Sequence, residues 1–250
     1  WGAPLRNFAS GYNLRDLWIG GAGTLGVITH AALRLVPRPA ARHTILAAFA
    51  NESAALRAVL ALMRARLTPS ICEFLDRPTV ACTERKSGRP VFPKAPGAAL
   101  LLLEVDGSAA EVAAQYVAIA KLLRASGALA LRDTGDPVEA EKLWQVRRTC
   151  SQAMFQMGDA KLNEDVVVPP RAYIPLLKYT RQLGRATGLA TPTYGHAMDG
   201  NFHVHLMYHR ARPRECRRAE KGVAALMKKV LALGGAITGE HGIGLAKSPF

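Results

Sequence analysis

The order of hydrophobic periods between residues 43 and 133 constrains the fold of this chain more than any other feature. Short apolar stretches bounded by turn residues predict strands, and longer amphipathic stretches predict helices. The predicted elements are a strand at 43–50, a helix at 53–67, strands at 70–76 and 98–106, a helix at 109–126 and a strand at 128–133. The proline-rich, basic stretch between residues 76 and 98 is predicted to be a loop. This β-α-β-β-α-β order predicts an α+β, ferredoxin-like fold with helices on one side of an antiparallel sheet.

The rest of the chain falls into a glycine-rich beginning and a further run of helices and strands. The predicted later elements are a helix at 137–157, a strand at 161–170, a helix that runs to about 187, a hairpin at 194–208 and a basic helix at 212–233. Residues 1–40 contain glycine-rich turns and short strands, and they end in a linker, Val36-Pro37-Arg38-Pro39. We therefore divide the chain into 1–40 and a larger domain, 41–250.

The composition is that of a globular protein with a strong positive charge. The net charge is +14, which would suit a nucleic acid, an anionic membrane surface or an acidic small substrate. No nucleic-acid recognition motif accompanies the basic residues, so we interpret them as a solvated helix face and expect no nucleic-acid partner. Four cysteines without a paired spacing favour a reducing compartment, and the predicted location is cytoplasmic.

The sequence has no run of eighteen apolar residues of the kind that crosses a membrane. It begins with Trp1 and shows no signal-peptide pattern. We therefore expect it to be part of a longer polypeptide.

Three of the seven histidines lie within the predicted hairpin at 194–208. Asp199-Gly200 is typical of a two-residue type I′ turn, which would place His196 directly opposite His203. Directly opposed Cβ atoms lie about 4.5–5.5 Å apart, close enough for two imidazoles to bind one metal ion. Alternation would place Tyr194, Asn201 and His205 on the same face and apolar residues on the other. The alternative is that these histidines are hydrogen-bonded structural residues.

A second candidate cluster lies in the glycine-rich stretch T-G-E-H-G-I-G at 238–244. His196, His203 and Glu240 would form a set of two histidines and one carboxylate, which leaves coordination positions open for water or substrate. His241 would remain available to carry a proton. On the predicted helix at 137–157, Arg147 lies beside the apolar stripe and is equally consistent with a surface salt bridge.

The N-terminal part is centred on D-L-W-I-G-G-A-G-T-L-G-V-I-T at 16–29. Its glycines would let backbone amides approach an anionic or flat ligand, and Val27-Ile28-Thr29 predicts a buried strand. The stretch contains no G-x-G-x-x-G followed by a helix, so a Rossmann dinucleotide site is excluded.

Four motifs in this order resemble those of FAD-linked oxidases of the vanillyl-alcohol oxidase type. The resemblance is to the branch that holds D-lactate dehydrogenase, the glycolate oxidase catalytic subunit and D-2-hydroxyglutarate dehydrogenase. The motifs are G-Y-N-L-R-D-L-W-I-G-G-A-G-T-L-G-V-I-T at 11–29, L-W-Q-V-R at 143–147, Y-G-H-A-M-D-G-N-F-H at 194–203 and G-G-A-I-T-G-E-H-G-I-G-L-A-K at 234–247. The resemblance implies that 1–40 is the C-terminal end of an FAD-binding domain and that 41–250 is a cap domain, truncated at its end. It also implies that this part is inactive without the earlier FAD-binding lobe.

The resemblance assigns roles to individual residues. The residues that would contact FAD are Gly20, Gly23, Thr24, Gly26, Val27 and Ile28. His196, His203 and Glu240 would bind a divalent metal, zinc in the first instance, with manganese or iron as alternatives. His241 would be the catalytic base, Arg147 would bind the substrate carboxylate, and Asn201 would help to orient the substrate. The sequence departs from the family at Met198, where glycine is usual, and at Ala22, where glutamate is frequent.

The implied reaction is FAD- and metal-dependent oxidation of a D-2-hydroxy acid, such as D-lactate, glycolate or D-2-hydroxyglutarate, to the 2-oxo acid, with hydride passing to flavin N5. The implied partners are the small hydroxy acid, an electron acceptor (a quinone, a cytochrome or an electron-transfer flavoprotein) and, as an option, a second copy in a homodimer. Peripheral association with the inner membrane is the alternative to a purely cytoplasmic location. Three other functions stay open: redox-neutral chemistry like that of alkyl-glycerone-phosphate synthase, a flavin-free metal hydrolase, and a cap or interaction subunit without turnover.

Overall fold

A seven-stranded antiparallel sheet with the strand order β4-β1-β3-β2-β6-β7-β5 is the framework of the computed structural model, which describes residues 5, 7 and 9–250. The strands are β1 (Ala41–Phe49), β2 (Ile71–Leu75), β3 (Ala99–Gly107), β4 (Ala130–Thr134), β5 (Ala160–Val167), β6 (Thr193–His196) and β7 (Asn201–Tyr208). The helices are α1 (Arg15–Trp18), α2 (Glu52–Arg64), α3 (Arg77–Ser87), α4 (Ala109–Ala125), α5 (Pro137–Ala153), α6 (Tyr173–Thr187), α7 (Pro213–Ala232) and α8 (Gly244–Lys247). The α+β class is confirmed, and the four strands and helices α2 and α4 of the first half follow the predicted order. An additional helix, α3, lies between β2 and β3.

Helix α3 lies where the sequence was interpreted as a loop, and that prediction was wrong. Asp76 caps the helix by accepting a hydrogen bond from the backbone N–H of Thr79, and a proline follows in the first turn. Gly88, with φ at 70°, ends it. Because most of its side chains are polar, the helix has little hydrophobic periodicity, and only its caps could have revealed it.

One face of the sheet is covered by α2, α4, α6 and α7. Alternate strand residues such as Ile45, Leu101 and Phe202 point into this layer, and all three are fully buried. They pack against apolar stripes of the helices, such as the one that contains Leu226 of α7. This layer is the main hydrophobic core.

The other face is partly covered by α3 and α5. The predicted placement of helices on one side of the sheet therefore holds for α2 and α4 but not for α3. A smaller core lies beneath α3 and α5 and includes Leu102 of β3 and Leu143 of α5. Elsewhere the same face carries buried polar side chains from five strands, namely Thr44, Glu73, Glu104, Asp165 and His203. Buried polar groups need partners, so this face is where the chemistry of the domain is concentrated.

The N-terminal segment contributes the short helix α1 and no strand among the described residues. The buried strand predicted at Val27-Ile28-Thr29 is therefore wrong: Val27 is 86% exposed and Ile28 is 67% exposed. An apolar run can form a buried strand only if a neighbouring strand pairs with it. Within the described part of the chain, no helix is both long and apolar enough to span a bilayer.

Candidate metal and substrate site

The β6–β7 hairpin carries the two histidines, but its register differs from the predicted one. A four-residue connection, 197–200, places His196 opposite Asn201, and Tyr194 opposite His203. A type I′ turn needs positive φ at both central residues, and of Asp199 and Gly200 only Gly200 has it, at 74°. The directly opposed histidine pair was therefore wrong. Because the register shift is two residues, each side chain keeps its predicted face.

His196 and His203 are diagonal neighbours whose ring centroids lie 5.4 Å apart. The loop after α7 brings the Glu240 carboxylate between them. Its Oε1 lies 3.7 Å from Nε2 of His196 and 3.3 Å from Nε2 of His203. One donor atom from each of the three residues lies within 4.8 Å of the others, so a single ion could contact all three.

Glu73 of β2 fixes the orientation of His196, and the sequence analysis did not find it. It lies directly opposite His196 across the β2–β6 pair, and its Oε1 is hydrogen-bonded to Nδ1 of His196. With the proton on Nδ1, the lone pair of Nε2 points toward Glu240, as in the carboxylate–histidine–metal arrangement. The only signal in the sequence was a glutamate inside an otherwise apolar predicted strand.

The two imidazoles have opposite electrostatic environments. The hydrogen bond to Glu73 raises the pKa of His196 above its ordinary value. Burial lowers the pKa of His203 to about 4, so this ring is neutral near pH 7 and keeps a lone pair for a ligand. Burial alone would raise the pKa of Glu73, but His196 and Arg147 outweigh it and hold the pKa below the usual range.

Arg147 of α5 lies beside Glu73 and Tyr194, on the sheet face that carries the two histidines. Its Nε donates to Oε2 of Glu73 at 2.5 Å, and its guanidinium carbon lies 4.3 Å from the ring centroid of Tyr194. The ring of Tyr194 in turn contacts His203, with centroids 5.3 Å apart. The predicted carboxylate-binding residue therefore lies beside the histidines, with its orientation set by a carboxylate and an aromatic ring.

His241 and Asn201 complete the set of residues predicted from the sequence. The ring of His241 stacks on that of His203, with centroids 5.4 Å apart, and its side chain is 41% exposed. Asn201 is buried opposite His196, and its Oδ1 has no hydrogen-bond partner among the described residues. A buried acceptor without a partner beside an open face is a candidate contact for a bound donor.

A cavity of about 590 Å³ adjoins this cluster between the sheet and α5. Arg147, Glu73 and His196 line it at one end, and Trp144 forms part of its wall, with Nε1 donating to Glu104 at 3.2 Å. A volume of this size is in the range of small-molecule sites. A small-molecule substrate could therefore lie in the cavity while it contacts the cluster.

Asp165 of β5 and Lys247 of α8 hold the loop that carries Glu240 and His241. Neither was singled out from the sequence: Asp165 lies in the strand predicted at 161–170, and Lys247 ends the motif at 234–247. Asp165 is fully buried and is paired with Nζ of Lys247. Burial alone would raise the pKa of Asp165, but Lys247 and the backbone N–H groups of the loop hold it well below the usual range.

The three donor residues fit a divalent metal ion. Two neutral imidazole nitrogens and a carboxylate oxygen are the ligand types that catalytic zinc takes, and they leave positions open for a further ligand. The fixed Nδ1 of His196 and the neutral ring of His203 agree with this use. Nε2 of each ring faces the Glu240 carboxylate, which would itself be a ligand of the ion.

The glycine-rich N-terminal stretch has exposed backbone that a flat ligand could approach. Gly20 and Gly23 both have φ at 81°, and nothing lies within 4 Å of the place where a Cβ would stand. Gly26 approaches the ring of Trp18 too closely for any side chain. The exposed side chains of Val27 and Ile28 follow these glycines, so a flat ligand such as a flavin could approach the backbone here.

Comparison with known families assigns this sheet-and-helix architecture to a class of flavoprotein domain. A model of the family described as FAD linked oxidases, C-terminal domain, matches residues 38–250. The chain belongs to this family, which confirms the resemblance found in the sequence.

Among its relatives, the glycolate oxidase subunit GlcD of Bacillus subtilis is 33% identical over 251 residues, covering 100% of this chain and 53% of that protein. The D-lactate dehydrogenase of Anaerostipes hadrus is 32% identical over 259 residues, covering 100% of this chain and 54% of that protein. The chain thus spans about half the length of these curated relatives.

Solved structures of more distant proteins share the fold. An alkyldihydroxyacetonephosphate synthase aligns with a TM-score of 0.63 at 16% identity, covering 92% of this chain and 46% of that chain. A p-cresol methylhydroxylase with bound substrate aligns with a TM-score of 0.62 at 14% identity, covering 81% of this chain and 46% of that chain. At these identities the likeness shows the fold alone.

Proposed function

We propose that this chain supplies the metal- and substrate-binding part of an FAD-dependent enzyme that oxidises a D-2-hydroxy acid, such as D-lactate or glycolate, to the 2-oxo acid. One observation carries the proposal: Nε2 of His196, Nε2 of His203 and Oε1 of Glu240 converge, with the other ring nitrogen of His196 held by Glu73. The names of the relatives, glycolate oxidase subunit and D-lactate dehydrogenase, support the substrate class.

The three converging residues would hold a divalent cation, with zinc preferred over manganese or iron. A bound cation acts as a Lewis acid and can lower the pKa of a bound water from 15.7 to about 7, and a coordinated hydroxyl is acidified in the same sense. His203 and His196 would keep the ion on the sheet face. Glu240 would close the site from the loop side.

His241 would take the proton of the substrate hydroxyl, because its exposed ring stacks beside His203 at the edge of the cluster. Arg147 would bind the substrate carboxylate, since its guanidinium group is already oriented by Glu73 and Tyr194. Asn201 would contact the substrate through its unpartnered Oδ1. The adjoining cavity would receive the rest of the substrate.

FAD, when bound, would supply the two-electron acceptor for C2 of the substrate. Gly20, Gly23, Thr24, Gly26, Val27 and Ile28 would contribute one wall of its site. Electrons would then leave to a second acceptor, and one relative, from Arabidopsis thaliana, is named D-lactate dehydrogenase [cytochrome], mitochondrial. A cytochrome is therefore our first choice of acceptor class.

The experiment is to measure reduction of a dye acceptor by the FAD-loaded enzyme, in which this chain is joined to an FAD-binding lobe, with glycolate, D-lactate and L-lactate as substrates. We expect turnover with at least one of the first two, loss of turnover in His203→Ala, and retention of the oxidised flavin spectrum in that variant. Full activity after complete removal of divalent metal by a chelator would contradict the metal-dependent reaction. Activity with L-lactate alone would contradict the proposed preference for D-2-hydroxy acids.

A further inference from the structure

The loop that presents Glu240 and His241 is folded around a carboxylate from another strand. Oδ2 of Asp165 accepts hydrogen bonds from three consecutive backbone N–H groups: Gly239 at 2.7 Å, Glu240 at 2.6 Å and His241 at 3.0 Å. Successive N–H groups that converge in this way form an anion-binding concavity. Here the anion is a side chain of the protein itself.

The second oxygen of Asp165 is also used. The hydroxyl of Thr238 donates to Oδ1 at 3.2 Å, and Nζ of Lys247 pairs with the same oxygen. The ammonium group of Lys247 also donates to the backbone carbonyl of Asp165 at 3.1 Å and is buried. Asp165 therefore ties both the beginning of the loop, at Thr238, and its end, at Lys247, to β5.

The side chain of Glu240 depends on this backbone arrangement for its direction. It is 50% exposed, so packing against neighbours restricts it little. Its own N–H is fixed to Asp165, which sets the path of the backbone from which the carboxylate reaches the two histidines. The same holds for His241, whose N–H is the next donor to Oδ2.

We propose that Asp165 is a positioning residue, which holds the loop in the conformation that directs Glu240 at the histidine pair and His241 at the edge of the site. This inference rests on the proposed function, because it assumes that Glu240 is a metal ligand. Without the buried carboxylate, the three N–H groups would lose a shared acceptor, and the loop would adopt several conformations. Binding of the ion would then have to order the loop, which lowers the affinity.

The test is the affinity for Zn²⁺ and Mn²⁺ of the wild-type chain and of the variants described below, measured by isothermal titration calorimetry. Asp165→Asn should bind about 10- to 100-fold more weakly, the effect typical of groups that orient a metal ligand. Glu240→Gln should weaken binding as well. The double variant should bind no more weakly than Glu240→Gln, because Asp165 acts through Glu240.

Glu164→Gln is the matched control. Glu164 is the neighbouring residue on β5, is 8% exposed, and lies 3.9 Å from Nζ of Lys247, but none of the loop hydrogen bonds described above ends on it. The metal affinity of Glu164→Gln should stay within about twofold of the wild-type value, since the loop N–H groups keep Asp165 as their acceptor. If Glu164→Gln lost as much metal affinity as Asp165→Asn, the effect would come from removing any buried charge on β5, and the proposal would be overturned.

Folding is monitored by circular dichroism, and Thr238→Val provides a milder variant if Asp165→Asn does not fold. It removes one hydrogen bond to Asp165 and should weaken binding by roughly two- to tenfold, the range expected for one net hydrogen bond. The visible absorption of the Co²⁺-substituted protein should change in Asp165→Asn in the same way as in Glu240→Gln. A merely structural role would leave this spectrum unchanged.

Two negative outcomes are distinguishable. Equal affinity of wild type and folded Asp165→Asn, or of wild type and Thr238→Val where only that variant folds, would overturn the positioning role and leave the proposed function intact. A wild-type chain that binds neither Zn²⁺ nor Mn²⁺ would overturn the metal site itself, and the positioning role with it.

Discussion

Glu73 and His196 face each other across the β2–β6 strand pair, and the carboxylate accepts a hydrogen bond from Nδ1–H of the imidazole. The pair is joined by Arg147, which donates to the other oxygen of Glu73 at 2.5 Å. One buried carboxylate thus orients both a candidate metal ligand and the candidate carboxylate-binding residue. This relationship leads to the first two predictions.

Replacement of Glu73 by glutamine should weaken metal binding by about 10- to 100-fold, because the amide cannot hold the charged or Nδ1-protonated imidazole as firmly. Calorimetric titration with Zn²⁺ measures the effect. Glu104→Gln is the control: Glu104 is a buried carboxylate on the same sheet face, but it accepts from Thr44 and Trp144. Equal losses in the two variants would count against a specific role for Glu73.

Arg147→Lys should raise the KM for the hydroxy acid by roughly 10- to 100-fold, since a lysine cannot make the forked contact with a carboxylate that arginine makes. Steady-state kinetics of the FAD-loaded enzyme give the value. Arg185→Lys serves as the control, because Arg185 is an exposed residue of α6, the helix that packs on the other face of the sheet. An unchanged KM in Arg147→Lys would remove Arg147 from the substrate site.

His241→Asn should leave metal binding within a few-fold of the wild type but slow reduction of the flavin by about 10²- to 10⁴-fold, the usual contribution of a general base. Stopped-flow absorbance of the oxidised flavin follows the reaction. A variant that reduces flavin at the wild-type rate would show that another group takes the proton.

The stability of the metal-free chain should decrease as the pH falls below 6.5, and His205 should account for much of the decrease. Burial lowers the pKa of His205 to about 3, so the unfolded chain takes up a proton between these values that the folded chain does not. From pH 7 to pH 5 this amounts to about 2 kcal/mol, at 1.36 kcal/mol per pH unit below the unfolded pKa. His203 contributes in the same direction.

Urea unfolding of His205→Leu at pH 7 and pH 5 measures the contribution of that residue. The variant should lose less stability between the two pH values than the wild type does. His30→Leu, at an exposed position, should behave like the wild type. A His205→Leu variant with the full wild-type pH dependence would assign the effect to other groups.

Much of the fold follows from local patterns. Strands β1 to β4 and helices α2 and α4 begin and end within a few residues of the predicted positions, because hydrophobic periodicity and caps such as Asn51 and Ser108 act over short distances. Helix α3 was missed because its polar sequence lacks that periodicity. Val27 and Ile28 were assigned to a buried strand because composition alone does not reveal whether a pairing strand is present.

The candidate site was also predicted correctly in part and wrongly in part. His196, His203 and Glu240 could be selected from the sequence because two motifs place unusual residue types beside turn-forming glycines. Their predicted contact geometry was partly wrong, because the hairpin register depends on whether Asp199 adopts positive φ, and here it does not. The face of each side chain was nevertheless correct, since alternation survives a shift of two residues.

Short motifs and local periodicity were enough to identify the family, the α+β class and the three candidate metal-binding residues. Only the tertiary structure showed that Glu73, 123 residues from His196 along the chain, orients that histidine, and that Asp165 holds the loop of Glu240. The physical reason is that a buried carboxylate takes its role from the donors that surround it. Those donors come from segments whose approach is decided by sheet order and packing, and no local pattern records that approach.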